Sequence, residues 1–242
     1  MTPSLPTLEL QYRRRANELP SVEVQLGELF LFSKAIQGYS PLLSEWFLTS
    51  DKSVNDALLY PAFDPNGPTS AALAVISTKT KKAKDIRSIS VWNGAENDED
   101  GAVLSSRCNI LGRPDAVKLG LRLQPEVTAW KTAAQWVQAA ASIWPAQFAS
   151  FGPLWYNEKK VFKDRPGVGW LLYLPLTITA QQLPDARMLV PVMGNNKARL
   201  GTIIVSVIDG PFSLDNPDHV RVANDIEIRL VDQDLLPRFA EL

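Results

Sequence analysis

The triplet Glu158-Lys159-Lys160 is where residue type and spacing in this chain come nearest to catalysis. Metal-dependent nucleases use an upstream acidic residue followed by Glu-x-Lys: the carboxylates hold a metal ion and the lysine steadies the attacking water. Three residues make an unspecific signature. These follow Tyr156-Asn157 in a polar stretch, so a plain hairpin turn is the expected role. Other chemistry is harder to assemble. His219 and Cys108 are the single histidine and the single cysteine, too few for a zinc site of the usual kind. Asp98-Glu99-Asp100 lacks the alternating spacing and the distant glutamate of a calcium loop. No serine lies in a Gly-x-Ser-x-Gly context, so a triad through His219 has no nucleophile elbow. Gly167-Val168-Gly169 follows Arg165-Pro166 and leads into an expected strand, whereas a phosphate cradle opens a helix. We therefore expect a protein that is not an enzyme and uses no metal and no cofactor.

Composition narrows the partners. The 242 residues could form one large domain or two small ones. There is no low-complexity linker and no repeat, so a single domain over 1–242 is the expectation. Lys and Arg total 25 against 26 Asp and Glu, a net charge of −1. That is no field with which to gather nucleic acid or an anionic membrane. The basic runs Arg13-Arg14-Arg15 and Lys79–Lys84 are too short for a phosphate-binding surface and read as solvated loops. One cysteine excludes an internal disulfide framework and suits a reducing compartment. The opening "MTPSLPTLELQYRRR" has no apolar signal stretch, and no run approaches the ~20 apolar residues of a membrane-spanning helix. The expected location is the cytoplasm.

The apolar rhythm supplies the frame for these side chains. Leu8, Leu10 and Tyr12 alternate with polar residues as in a half-buried strand. Val22–Ile36 has helical spacing and ends near Gly38. Trp46-Phe47-Leu48 predicts a short strand. A helix of about two turns follows, capped by Ser50 or Asp51 and stopped at Tyr60-Pro61. Strands are expected at Ala72–Ile76, Ile86–Trp92, Ala102–Ser106 and Val117–Leu123, with Asn93-Gly94 as a turn and Glu96–Gly101 as an acidic loop. The clearest helix starts at Pro125 and runs over Glu126–Trp144. Trp130, Ala133, Ala134, Val137, Ala141 and Trp144 would share its apolar face, with Trp136 pointing away. The aromatic stretch "FASFGPLWYNEKKVF" reads as irregular. Strands follow over Trp170–Thr179, Met188–Met193 and Leu200–Ile208, the last two joined by the turn Gly194-Asn195-Asn196-Lys197. The tail reads as a strand over Asp225–Leu230. This order argues for an α+β fold, a largely antiparallel sheet flanked by a few helices.

Three blocks carry a family resemblance: "WFLTSDKSVNDALLYPAFDPNGPTSAALAV", "SISVWNGAENDEDGAVLS" and "ANDIEIRLVDQDLLPRF". In order and spacing they resemble the immunity protein 52 family of bacterial polymorphic toxin systems, over about Leu8 to Leu242. Trp46-Phe47-Leu48 with Ala57 and Tyr60, and Trp92-Asn93-Gly94, are the strongest pieces. The resemblance implies an antitoxin that binds a restriction-endonuclease-fold nuclease toxin delivered by type VI secretion. It brings no catalytic residues.

An inhibitor of a DNA-gripping toxin can cover a basic cleft with carboxylates, which also steer the encounter. Glu96, Asp98, Glu99 and Asp100 form the one dense acidic run and are the expected toxin-binding residues. Trp92, Trp136 and Trp155 are anchor candidates, against the plainer role of core packing. Blocking toxin oligomerisation or a face far from its active site stays open. So do two other classes: a metal-dependent nuclease using Glu158 and Lys160, and a non-catalytic adaptor of the secretion machinery.

Overall fold

The structure, a computed structural model, describes residues 5–14, 17–50, 53–122, 129–194 and 198–242. In chain order its elements are β1 (Pro6–Tyr12), α1 (Val22–Ile36), β2 (Phe47–Leu48), α2 (Val54–Leu58), β3 (Phe63–Asp64), β4 (Gly67–Pro68), α3 (Ser70–Lys79), β5 (Ile86–Trp92), β6 (Ala102–Asn109), β7 (Asp115–Leu121), α4 (Trp130–Ile143), β8 (Ala146–Pro153), β9 (Leu171–Leu174), β10 (Met188–Met193), β11 (Arg199–Val205) and α5 (Pro217–Asp232). They fall into two compact units. The first joins Met1–Arg13 to Val127–Leu242 and orders its strands β10-β11-β9-β8-β1. The second is Arg14–Glu126, with strand order β7-β6-β5-β2 and the small hairpin β3-β4. The pairings within each unit are antiparallel, so the fold is α+β on antiparallel sheet, as the sequence implies.

The first unit has an aromatic interior. β8 pairs with β1 from Pro6↔Pro153 to Tyr12↔Ala146, so the opening of the expected irregular stretch, 148–153, is strand. Buried Ala146 and Phe148 flank the partly covered Gln147, and buried Phe151 and Pro153 flank Gly152, the period of two that the neighbouring aromatics obscure. α4 begins at Trp130; Pro125 and Glu126 lie outside the described residues. Ala133, Ala134, Val137 and Ala141 are buried as expected, but Trp136 is buried too, at 2% exposure, and Trp130 is only partly covered. The expected face is therefore corrected. Small alanines let α4 settle close to the sheet, widening the covered stripe until Trp136 meets Phe151 edge-on at 6.0 Å.

α5 replaces the strand expected over Asp225–Leu230. Asn216 accepts the Asp218 N–H, Pro217 takes the first turn, and Val222, Ala223, Ile226 and Leu230 are buried at helical spacing. Ile228, which gave the tail its false alternation, is 42% exposed. At the hairpin between β10 and β11, Gly194 donates its N–H to Ala198 O at 2.8 Å; Asn195, Asn196 and Lys197 lie outside the described residues.

In the second unit, α1 has the bounds the spacing predicts, and β5 runs from Ile86↔Asn109 to Trp92↔Val103 against β6. Ala72–Ile76 is not a strand: it belongs to α3, whose cap Thr69 accepts the Ala72 N–H at 3.1 Å. The run Ser70-Ala71-Ala72-Leu73-Ala74 carries the strongest helix former, and it outweighs the β-branched pair that follows. α2 is capped by Ser53 rather than by Ser50, whose hydroxyl instead donates to Asp56 at 2.6 Å. Asp51 lies outside the described residues.

Candidate functional site

Trp92 ends β5 with neighbours on both sides, Val103 on β6 and Phe47 on β2. The next residue, Asn93, is buried and clasps both ends of the following loop. Its N–H donates to Ala102 O at 3.1 Å, and its Oδ1 accepts the Ala102 N–H at 2.8 Å. Its Nδ2 donates to Asp100 O at 2.8 Å and to Leu42 O at 3.0 Å. Gly94 then turns the chain at φ +71°, and a Cβ there would stand 2.7 Å from the Phe47 ring. Only glycine meets both conditions cheaply. Asp98–Asp100 forms a 3₁₀ turn, and Arg122 donates its N–H to Gly101 O at 2.7 Å.

On this fixed base the acidic run faces water. Glu96, Asp98 and Glu99 are exposed and Asp100 partly so. Asp98 meets Arg122 at 3.4 Å with side chains 95% and 60% exposed, a pair that contributes little to stability. Trp92 is half-buried. Trp155 is 45% exposed but belongs to the other unit, on the 3₁₀ turn Leu154–Glu158. Trp136, in the core, is removed from the anchor candidates.

Glu158 is exposed on that same turn. Lys160 is buried: its ammonium donates to Arg165 O at 2.7 Å and lies 4.9 Å above the Phe239 ring. Burial pushes its pKa down. The ammonium is thus engaged inside the first unit. Among the described residues no group of three or more His, Cys, Asp or Glu gathers to hold a metal ion. His219 accepts the Ser213 N–H at Nδ1, 3.1 Å away, and its ring packs on Phe212. No helix of the described residues is long and apolar enough to cross a membrane.

Two residues escaped the sequence. Asn93 has the sequence context of a turn former, and its role as a clasp is visible only in three dimensions. Glu227 is buried on α5, at 1% exposure. It accepts the Tyr156 hydroxyl at 2.7 Å, the Val168 N–H at 2.9 Å and the Val161 N–H at 2.8 Å. Desolvation pushes its carboxyl above the ordinary glutamate range, against the lowering effect of those donors. Its signal was its place on the face of Ala223, Ile226 and Leu230, legible once the segment is known to be a helix.

The sequence matches no protein-family model and no curated protein, so the immunity protein 52 resemblance stands on the sequence blocks alone. The fold is similar to the solved structure of a T6SS (type VI secretion system) protein of Pseudomonas aeruginosa, with a TM-score of 0.53 and 10% identity. The match spans 93% of this chain and 76% of that one. At that identity the likeness is one of fold: this chain shares its α+β architecture with a Pseudomonas aeruginosa T6SS protein.

Proposed function

We propose that this protein is an immunity protein that binds and neutralises a nuclease toxin delivered by type VI secretion, acting in the cytoplasm of the cell it protects. The observation that carries this reading is the rigid display of Glu96, Asp98 and Glu99 in solvent, from a loop whose two ends Asn93 clasps. A toxin that grips DNA must present a basic cleft, and preformed carboxylates meet such a cleft without an ordering cost. The fold likeness to a T6SS protein supports the context. Two of the three blocks behind the immunity protein 52 resemblance also meet in space: Phe47 pairs with Trp92 and underlies Gly94, and Leu48 donates its N–H to Tyr60 O at 3.0 Å.

The test pairs this protein with the toxin encoded in the adjacent reading frame. Co-expression should rescue cells that the toxin kills, and the purified proteins should form a complex that no longer cleaves DNA. Neither rescue nor complex would overturn the reading. The same fold likeness suits a secretion adaptor, which would bind components of the apparatus and leave toxin activity unchanged.

A further inference from the structure

α2 is short and largely turned outward. Of its five residues Val54, Asn55, Asp56, Ala57 and Leu58, Ala57 is the one buried. Val54 is 56% exposed and Leu58 36%, and Leu59, which follows, is 70% exposed, a high value for a large apolar side chain in this protein. Val54 and Leu58 stand one above the other as i and i+4. The helix is nevertheless well fixed: Ser53 accepts the Asp56 N–H at 3.1 Å, and Ser50 holds the Asp56 carboxylate. Apolar side chains presented to water from a pinned scaffold are what a binding surface offers.

The position of α2 sets what it would bind. Leu58 Cδ2 lies 3.3 Å from where a Cβ of Gly94 would stand, so the apolar tip abuts the start of the acidic loop. Interfaces concentrate apolar contact at the centre and charge at the rim. Here the rim on the Gly94 side of that centre is acidic, with Arg122 paired to it, while Lys79 lies on the other side, beside Asp56 and Ala57. An acidic rim selects a basic partner and repels acidic ones. The open groove along α5, with Val161, Val220 and Ile228 as its apolar wall, gives no such choice. It carries Lys159 and Arg221 against Asp215 and Asp225, so its charge names no partner.

We infer that the outer face of α2, with Leu58 and Leu59 as anchors, and the Glu96–Glu99 loop form one docking surface for a protein patch whose apolar centre is ringed by lysine and arginine. The inference rests on the proposed function, since such a patch would belong to the toxin's DNA-gripping side.

The experiment measures association and dissociation by stopped flow at low and high salt. Its probe is the toxin domain from the adjacent reading frame, made catalytically inactive. Leu59→Lys places a cation at a helix C-terminus, where the fold accepts it, yet sets it against a basic partner. Dissociation should accelerate roughly tenfold or more. The combined Glu96→Gln, Asp98→Asn and Glu99→Gln variant should associate several-fold more slowly, with a flattened salt dependence. Ile228→Lys, in the α5 groove, should change neither rate. Far-UV circular dichroism checks each fold, and Leu59→Ser, expected to weaken binding in the same direction, replaces Leu59→Lys if that variant unfolds. Wild-type binding with unchanged rates in the α2 and loop variants would overturn this surface and leave the immunity reading standing. An absence of wild-type binding would overturn both.

Discussion

The two units bury different materials. The first closes over aromatic rings and charge: Trp136, Trp144, Phe148, Phe151 and Trp170 lie inside it, together with Glu227, Lys160 and Arg165. The second has a mainly aliphatic interior, with Leu26, Leu29, Ile89, Val91, Leu104 and Leu119 buried, and its buried polar groups include the amides of Gln25 and Asn93 and one carboxylate, Asp115, paired with Arg14 at 3.3 Å. Gln25, fully buried, donates to Ser106 O at 3.0 Å and accepts from Arg87 at 2.8 Å; Asn93 holds the acidic loop. A buried carboxylate must be satisfied or it is costly, so Glu227 commits the residues around it to one arrangement. A buried amide carries no charge and leaves nearby ionised groups free to stay in water. The second unit pairs its buried acid, Asp115, with Arg14 and keeps Glu96, Asp98 and Glu99 in water, and it is thus the one equipped to meet a partner.

Trp136→Ala should weaken that contrast most, by roughly 3–5 kcal/mol, as expected for emptying a core aromatic site. Trp130→Ala, at a partly covered position, should cost clearly less. Equal losses in urea unfolding would mean that the aromatic interior of the first unit does not carry its stability. Next, Glu227→Leu removes three hydrogen bonds, orphaning the Val161 and Val168 N–H groups and leaving the Tyr156 hydroxyl with Asn224 as its partner. At about 1 kcal/mol or more for each, the loss should reach about 3 kcal/mol.

The same carboxylate should leave a pH signature. Its folded-state pKa lies above the unfolded one, so the native state holds the proton more tightly. Its contribution to stability is therefore present in full below the ordinary glutamate range and declines as pH rises through the elevated value. Glu227→Gln should flatten that slope without abolishing it, because burial also pushes Asp115 upward in the second unit. A wild-type stability that climbs across this window, with Gln leaving it unchanged, would reject the assignment.

Asn93→Ala comes third. It leaves the Ala102 N–H and the Asp100 and Leu42 carbonyls without their partner and should cost about 1–3 kcal/mol. Hydrogen exchange should speed up over 94–101 while β5 stays protected. The smallest effect belongs to the neutral-amide replacement of Glu96, Asp98, Glu99 and Asp100, which should shift stability by less than about 0.5 kcal/mol. A large loss there would show that the exposed acids hold the second unit together.

What the sequence disclosed follows from the range of the interactions involved. α1, β5 and β10 were legible to the residue because their apolar period is local and clean. α3 and α5 carry β-branched residues that imitate a strand, the adjacent pair Val75-Ile76 in α3 and the alternating Val220, Val222, Ile226 and Ile228 in α5. What decides them, the caps at Thr69 and Asn216, lies upstream of the misleading runs Ala72–Ile76 and Asp225–Leu230. The width of the buried stripe on α4 depends on how closely small alanines let the sheet approach, which no single segment encodes. The acidic run was visible as composition. Its clasp was not, since Asn93 reaches Leu42, 51 residues away.

That clasp touches the loop through the carbonyl of Asp100 and the amide and carbonyl of Ala102, and through no side chain of Glu96, Asp98 or Glu99. It is blind to what those positions carry. Replacing every acid by another polar residue leaves its hydrogen bonds in place, so recognition can be rewritten while the scaffold is conserved. In a lineage whose partner keeps changing, this loop is the part free to drift, and Asn93 and Gly94 are the part that must stay.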